Sequence, residues 1–235
     1  MTITASSLAA VNGVTVRNEQ FAVEAQVIPQ KNVIIGTFDE ATYTSITPNV
    51  PIRVYSAEDV GAKTGFGFML HRLAKYLFKP GTVETWIIPQ LEGGSDPDQA
   101  TGSVDFSAST GVVAGEVAFY VAGERCAFTT TAGMTPTQLG DALEAAINAI
   151  ADMPVTANNN AGNVAIESKS GGEYGNDISL AFSLLDGESL PSGVSAVITP
   201  MSGGVGTPDI QDALDALGTG DGQNEKFFTN LIHGY

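Results

Sequence analysis

The chain has one cysteine, Cys126, in 235 residues. No disulfide can close within it, and a reducing compartment is the expected setting. The apolar alternation around Cys126 reads as a core thiol. Charge is also scarce, with Asp, Glu, Lys and Arg at 15%, and basic residues nearly vanish after position 80. Residues 81–235 hold three, Arg125, Lys169 and Lys226, against twenty acids, whereas residues 1–80 hold seven against six. An acidic excess of 17 over one stretch repels phosphate backbones and anionic headgroups, so direct nucleic-acid binding is not expected. No uninterrupted apolar run reaches about 18 residues, so no membrane insertion by a helix is expected. Met1 to Gly13 carries no Lys or Arg and only a broken apolar run, the wrong make-up for a secretory signal.

What is present is apolar material, 43% of residues, and 27 glycines, enough for a real core in a β-rich, turn-rich protein. The stretch from Val54 to Pro89 reads as a complete α/β unit. Ser56 can cap a short helix whose third residue is Asp59. After the Gly65–Gly67 break, Phe68, Met69, Leu70, Leu73, Ala74 and Leu77 recur at helical spacing, with Arg72, Lys75 and Lys79 between them, which predicts an amphipathic helix with a basic outer face. Pro80-Gly81 ends it, and Thr82 to Pro89 reads as a strand buried on both faces. Another such strand spans Asn32 to Gly36, so strand, helix and strand point to a parallel sheet.

Around this unit the chain divides. Met1 to Gln20 is polar, with a short alternation of Val11, Val14 and Val16, and reads as an extended arm that needs a receiver. Phe21 to Ile28 alternates as a strand. Gly93-Gly94 and Asp96-Pro97 carry linker chemistry, and so does Ser202 to Gly206. Between them, short strands are expected at 103–107, 116–121, 125–130, 155–157, 163–168, 177–183 and 195–200, with a hairpin at Val121 to Arg125 and a turn at Asn158-Asn159-Asn160. One helix interrupts them, capped by Thr135 with Gln138 reciprocating and Pro136 first. After the second linker, Thr207 caps and Pro208 opens a helix striped by Ile210, Ala213, Leu214 and Leu217, and Phe227 to Ile232 reads as a central strand. The expected layout is an arm at 1–20, a discontinuous α/β core at 21–95 and 204–235, and an inserted, mainly antiparallel β domain at 96–203. The fold class is α+β, mixed α/β.

No constellation of catalytic groups is visible. Gly61-Ala62-Lys63-Thr64 lacks the glycine frame of a phosphate loop. His71 and His233 have no spaced Cys, His or carboxylate partner for a metal, so each reads as a solvated or interface histidine. The acids of 96–203 are dispersed rather than paired, and Ser189 and Ser192 lack a nucleophile-elbow signature. No enzyme activity and no cofactor is expected. A structural or binding role is.

Several segments, in order, carry a family resemblance. They are Ile28 to Gly36 (IPQKNVIIG), Val54 to Asp59 (VYSAED), Gly65 to Leu70 (GFGFML), Glu84 to Pro89 (ETWIIP), Gly175 to Ile178 (GNDI), Met201 to Gly204 (MSGG) and Thr207 to Leu214 (TPDIQDAL). Together the chain resembles the tail sheath proteins of contractile-tailed bacteriophages, the Mu-like branch in particular. None of these motifs is diagnostic alone; their order is. The resemblance implies a non-enzymatic subunit that polymerises helically with itself around an inner tail tube, between a baseplate and a tail terminator. It implies a place in the virion tail, after assembly in the host bacterial cytoplasm. Contraction would drive the tube through a cell envelope. Val11, Val14 and Val16 would then lie in an arm joining subunits. Family members continue well past the position of Tyr235, so the chain is expected to be the N-terminal portion of a longer protein. The competing reading is a polysaccharide- or receptor-binding β-module on an α/β base, which needs an exposed aromatic cluster among Phe106, Phe119, Tyr120, Phe128, Tyr174 and Phe182.

Overall fold

The structure, a computed structural model, describes residues 30–81, 83–93, 98–218 and 228–234. It is a mixed α+β fold. The first sheet has the order β11-β1-β3-β2, from β1 (Lys31–Thr37), β2 (Ile52–Val54), β3 (Glu84–Gln90) and β11 (Asn230–His233). β1 runs parallel to β3 and β11, while β2 pairs antiparallel with β3. The sheet expected to be parallel is thus mixed, because only three residues, Ile52 to Val54, precede the helices and they return along an open edge.

Helices cover both faces of this sheet, which is why β1 and β3 read as continuous apolar runs. Side chains alternate across the pleat. Ile34 and Ile87 point to one face, where they pack against Val60 of α1 (Ala57–Thr64) and Leu70 and Ala74 of α2 (Met69–Phe78). Val33, Ile35 and Ile88 point to the other, against Ala213 of α4 (Ile210–Gly218), with Ile210 and Leu217 at the margin. α1 begins as its sequence dictates: the Ser56 hydroxyl accepts the Asp59 N–H at 3.1 Å. α4 begins later than Thr207 and Pro208 imply. The Asp209 carboxylate accepts the Gln211 N–H at 2.9 Å, and the helix starts at Ile210. Leu214 stays 36% exposed, because the buried side of α4 centres on Ala213.

β11 is an edge strand among the described residues, not the central one its composition suggested, and Leu231 is 41% exposed there. The expected strand 21–28 lies outside the described residues.

Residues 99–202 build two further sheets. β4 (Gln99–Asp105), β7 (Val155–Asn160), β8 (Asn163–Gly171) and β10 (Val197–Ser202) form one, in the order β10-β4-β8-β7. β5 (Gly115–Val121), β6 (Glu124–Thr130) and β9 (Leu180–Phe182) form the other, in the order β6-β5-β9. All their pairings are antiparallel. Their inner faces share one core with α3 (Pro136–Asn148), including Phe106, Phe119, Leu139, Leu143, Ile147 and Ile166, all fully buried.

The capping box of α3 is formed in both directions: Thr135 Oγ1 accepts the Gln138 N–H at 3.3 Å, and the Thr135 N–H donates to Gln138 Oε1 at 2.9 Å. The hairpin turns at Ala122 and Gly123, with φ of 49° and 80°, the left-handed pair a two-residue turn demands. The three asparagines, by contrast, do not form a turn. β7 runs through Asn160, and the turn falls at Ala161-Gly162. Bonds to the helix hold this stretch: Asn159 Nδ2 donates to the Thr137 carbonyl at 3.0 Å and to Asp141 Oδ1 at 2.7 Å, its backbone N–H donates to Glu144 at 2.9 Å, and Asn148 of α3 donates to and accepts from the Ala157 backbone at 2.8 and 3.0 Å. Position 140 must be glycine for the same reason, since a Cβ there would sit 2.3 Å from Asn159 Oδ1.

Candidate assembly surfaces

α2 presents three sides, and each does something different. Leu70 and Ala74 face the sheet. Of the three basic residues expected to face outward, Lys79 does, but Arg72 and Lys75 instead face residues 99–202. Arg72 donates to the Tyr174 hydroxyl at 2.5 Å and lies 6.0 Å from the centre of that ring. Lys75 reaches Glu124 at 3.1 Å and Asp152 at 3.2 Å. The sequence missed this because the partners lie 49, 77 and 102 positions away, and charge spacing along one helix shows only that a polar side exists, not what it meets. The uneven charge along the chain was the available signal.

The same join holds His71, 2% exposed. Its Nδ1 accepts the Gly67 N–H at 3.1 Å, so the neutral ring carries its proton on Nε2, which lies 3.9 Å from Asp152. Burial pulls the imidazole pKa below its ordinary 6.5, and this outweighs the opposing effect of Asp152. For Lys75, burial acts downward, but the hydrogen bonds to Glu124 and Asp152 prevail and leave the ammonium pKa raised. Lys169 spans the join from the other side, donating to the backbone carbonyls of Phe66 at 3.2 Å and Ala151 at 2.8 Å, and burial lowers its pKa. Burial raises the carboxyl pKa of Glu92, which accepts the Gly171 N–H at 2.6 Å.

Backbone meets backbone here as well. Gly67, at φ 85°, would place a Cβ 2.1 Å from the Met153 carbonyl oxygen. Of the glycines read as linkers, Gly93 and Gly204 are buried while Gly203 is exposed: a Cβ at Gly93 would sit 2.0 Å from the Thr207 carbonyl carbon, and the Gly204 N–H donates to Asn176 Oδ1 at 2.8 Å. His71 is therefore not a solvated histidine: it is buried beside Asp152, in the turn after α3.

The aromatic residues of 99–202 turn inward. Phe106, Phe119 and Phe128 are buried, Phe182 packs on Phe119 with centroids 4.8 Å apart, and Tyr120 is 5% exposed with its hydroxyl donating to Glu188. This is the opposite of a sugar-stacking platform, which presents ring faces to water. Arg125 forms ion pairs with Glu188 and Glu116 beside it. Cys126 is buried and its thiol pKa is pushed up to about 11, mainly by that burial, so it is protonated core material. Among the described residues, no three His, Cys, Asp or Glu side chains converge as metal ligands would.

Val11, Val14 and Val16, the expected arm residues, lie outside the described residues. What the described residues do show is β11, paired with β1 on one side among them, and an exposed rim beside α2. That rim carries Tyr76, 57% exposed, and Tyr55, 65% exposed, the latter with Arg53 5.3 Å from its ring centre.

The fold defines the class first: a mixed α+β protein in which side chains of α2 bond to residues 99–202. No family model matches the chain. Over 169 residues, 71% of its length, it is 31% identical to the Mu-like prophage FluMu tail sheath protein of Haemophilus influenzae, and the match spans 34% of that protein. Over those residues the chain belongs to the Mu-like tail sheath family.

Proposed function

We propose that this chain is a structural, non-enzymatic part of a phage tail sheath. In this reading copies polymerise helically around an inner tube, between baseplate and tail terminator, in a virion tail assembled in the bacterial cytoplasm. Contraction then drives the tube through a cell envelope. The observation that carries the reading is the 169-residue likeness to a Mu-like tail sheath protein. Head-to-tail contacts whose rotation does not close give a helical tube. Two packings differing by only a few kcal/mol per subunit let contraction spread along it.

Within the subunit, residues 21–95 and 204–235 form the sheath core and 96–203 an inserted body. The inserted body lies on the outer surface, where water and counterions screen its acidic excess. Residues 1–20, through Val11, Val14 and Val16, form an arm that adds to a neighbour's sheet edge. What supports the layout is that one core is drawn from 100–201 alone, while the first sheet draws on both flanking segments.

Negative-stain microscopy of the full-length protein tests the reading. Long striated tubes or stacked rings are expected; a monodisperse monomer at every concentration and salt strength would sink it.

A further inference from the structure

The two outer sides of the first sheet differ in chemistry, and the difference fits one occupant. On the α2 side, a groove of about 520 Å³ lies between the start of α1 and the last turns of α2. Tyr55, Tyr76 and Lys79 line it, and Arg53 stands beside Tyr55. Other cations of this unit are engaged at home: Lys31 with Glu84, Lys63 with Asp59, Lys75 with Glu124 and Asp152, and Arg72 with Tyr174. Arg53 and Lys79 are exposed, and among the described residues neither has an ion-pair partner. The acids in the groove are Glu58, in the first turn of α1, and Glu124, already held by Lys75. Two exposed cations thus flank two tyrosines that are each more than half exposed, the composition of an interface core rather than of a solvated face.

On the opposite side, α4 shows the complementary make-up. Asp212 and Asp215, three residues apart and so on one side of the helix, are exposed, as is Asp209 just before it, and residues 207–218 contain no Lys or Arg. The two surfaces cannot meet within one chain, because α2 packs on the Ile34 and Ile87 face of the sheet and α4 on the Val33, Ile35 and Ile88 face. A two-fold pairing would set like against like.

We infer that the Arg53, Tyr55, Tyr76 and Lys79 surface receives the Asp212 and Asp215 face of α4 from a second copy of this chain. The contact is heterologous, so each copy offers one of each surface and the series stays open. Complementary charge sets register and association rate, while the two tyrosines supply apolar area. The inference rests on the self-assembly proposed above and specifies its contact.

Charge reversal in the full-length protein tests it, with assembly followed by sedimentation and electron microscopy and folding by circular dichroism. Arg53→Glu with Lys79→Glu, and separately Asp212→Lys with Asp215→Lys, are each expected to raise the concentration needed for assembly at least tenfold without changing the dichroism. All four substitutions in one chain are expected to restore it. The milder pair Arg53→Gln and Lys79→Gln should show a smaller rise that 0.5 M salt abolishes, by screening the wild type equally. Assembly unaffected by either reversal, or a four-fold variant no better than its parents, overturns the surface while leaving tubes and the sheath reading intact. Wild-type association that reversal weakens and the four-fold variant restores, but that never yields tubes, removes the sheath reading and keeps the surface.

Discussion

His71 shows how much one buried side chain can decide. Its Nδ1 is already committed to the Gly67 N–H, so a proton added there places two donors face to face within the join. Its neighbours pull in both directions, Asp152 and Glu58 favouring the proton, Lys75 and Lys169 opposing it, and burial opposes it most. The folded pKa lies below the unfolded value, so the unfolded chain binds more protons as the medium acidifies. The stability tied to neutral His71 is complete above about pH 6.5, the unfolded value, and falls away as pH drops below it. Thermal melts from pH 8 to pH 5 should show this decline in the wild type. His71→Asn, whose side-chain oxygen can accept the same N–H, should show a shallower decline; identical slopes would remove His71 from the explanation. Gly67 is legible in the sequence only as a break between helices. Its second role, admitting the Met153 carbonyl, depends on a residue 86 positions away and leaves no local mark.

Elements were most legible where local chemistry and packing agree. Ser56 and Thr135 announce two helix starts because each accepts an N–H three residues on, and Pro136 supports the second because its fixed φ suits the first turn and it has no N–H to leave unpaired. Val33 to Ile35 and Trp86 to Ile88 announce buried strands because both faces of their sheet are covered. The failures share the opposite property. Asn158 to Asn160 have turn composition, yet tertiary bonds to α3 hold this stretch extended. Phe227 to Ile232 has the composition of a central strand, while β11, four residues long, lies at the edge among the described residues. The basic side of α2 was visible, but not its direction, because that depends on acids contributed by β6 and by the turn after α3. For α3, Thr135→Ala should cost about 1 kcal/mol in denaturant unfolding. Adding Gln138→Ala should cost less than the sum of the two single changes, since each bond supports the other. Strict additivity would mean that the reciprocal pair does not act as a unit.

At the scale of the whole molecule, the first sheet is closed by contacts across the full length of the chain. Thr229 exchanges hydrogen bonds with Lys31, 198 positions away, and Asn230 Nδ2 donates to Asn32 Oδ1 at 2.8 Å over the same separation. β3 has a paired neighbour on each side, whereas β11 is paired on one side among the described residues. Native-state hydrogen exchange should therefore release the amides of 230–233 well before those of 84–90; equal protection would show that the sheet opens as one unit. The same separation sets a timetable for synthesis. β1, α1, α2 and β3 emerge together, but the strand that pairs with the outer side of β1 and the helix that covers Val33, Ile35 and Ile88 emerge more than a hundred residues later. At roughly 5–20 residues per second, that apolar face stays uncovered for on the order of ten seconds on each ribosome, while the antiparallel sheets fold in the interval. A nascent chain of this kind therefore has a fixed period in which it is most open to chaperones, and most exposed to pairing wrongly with another copy emerging beside it.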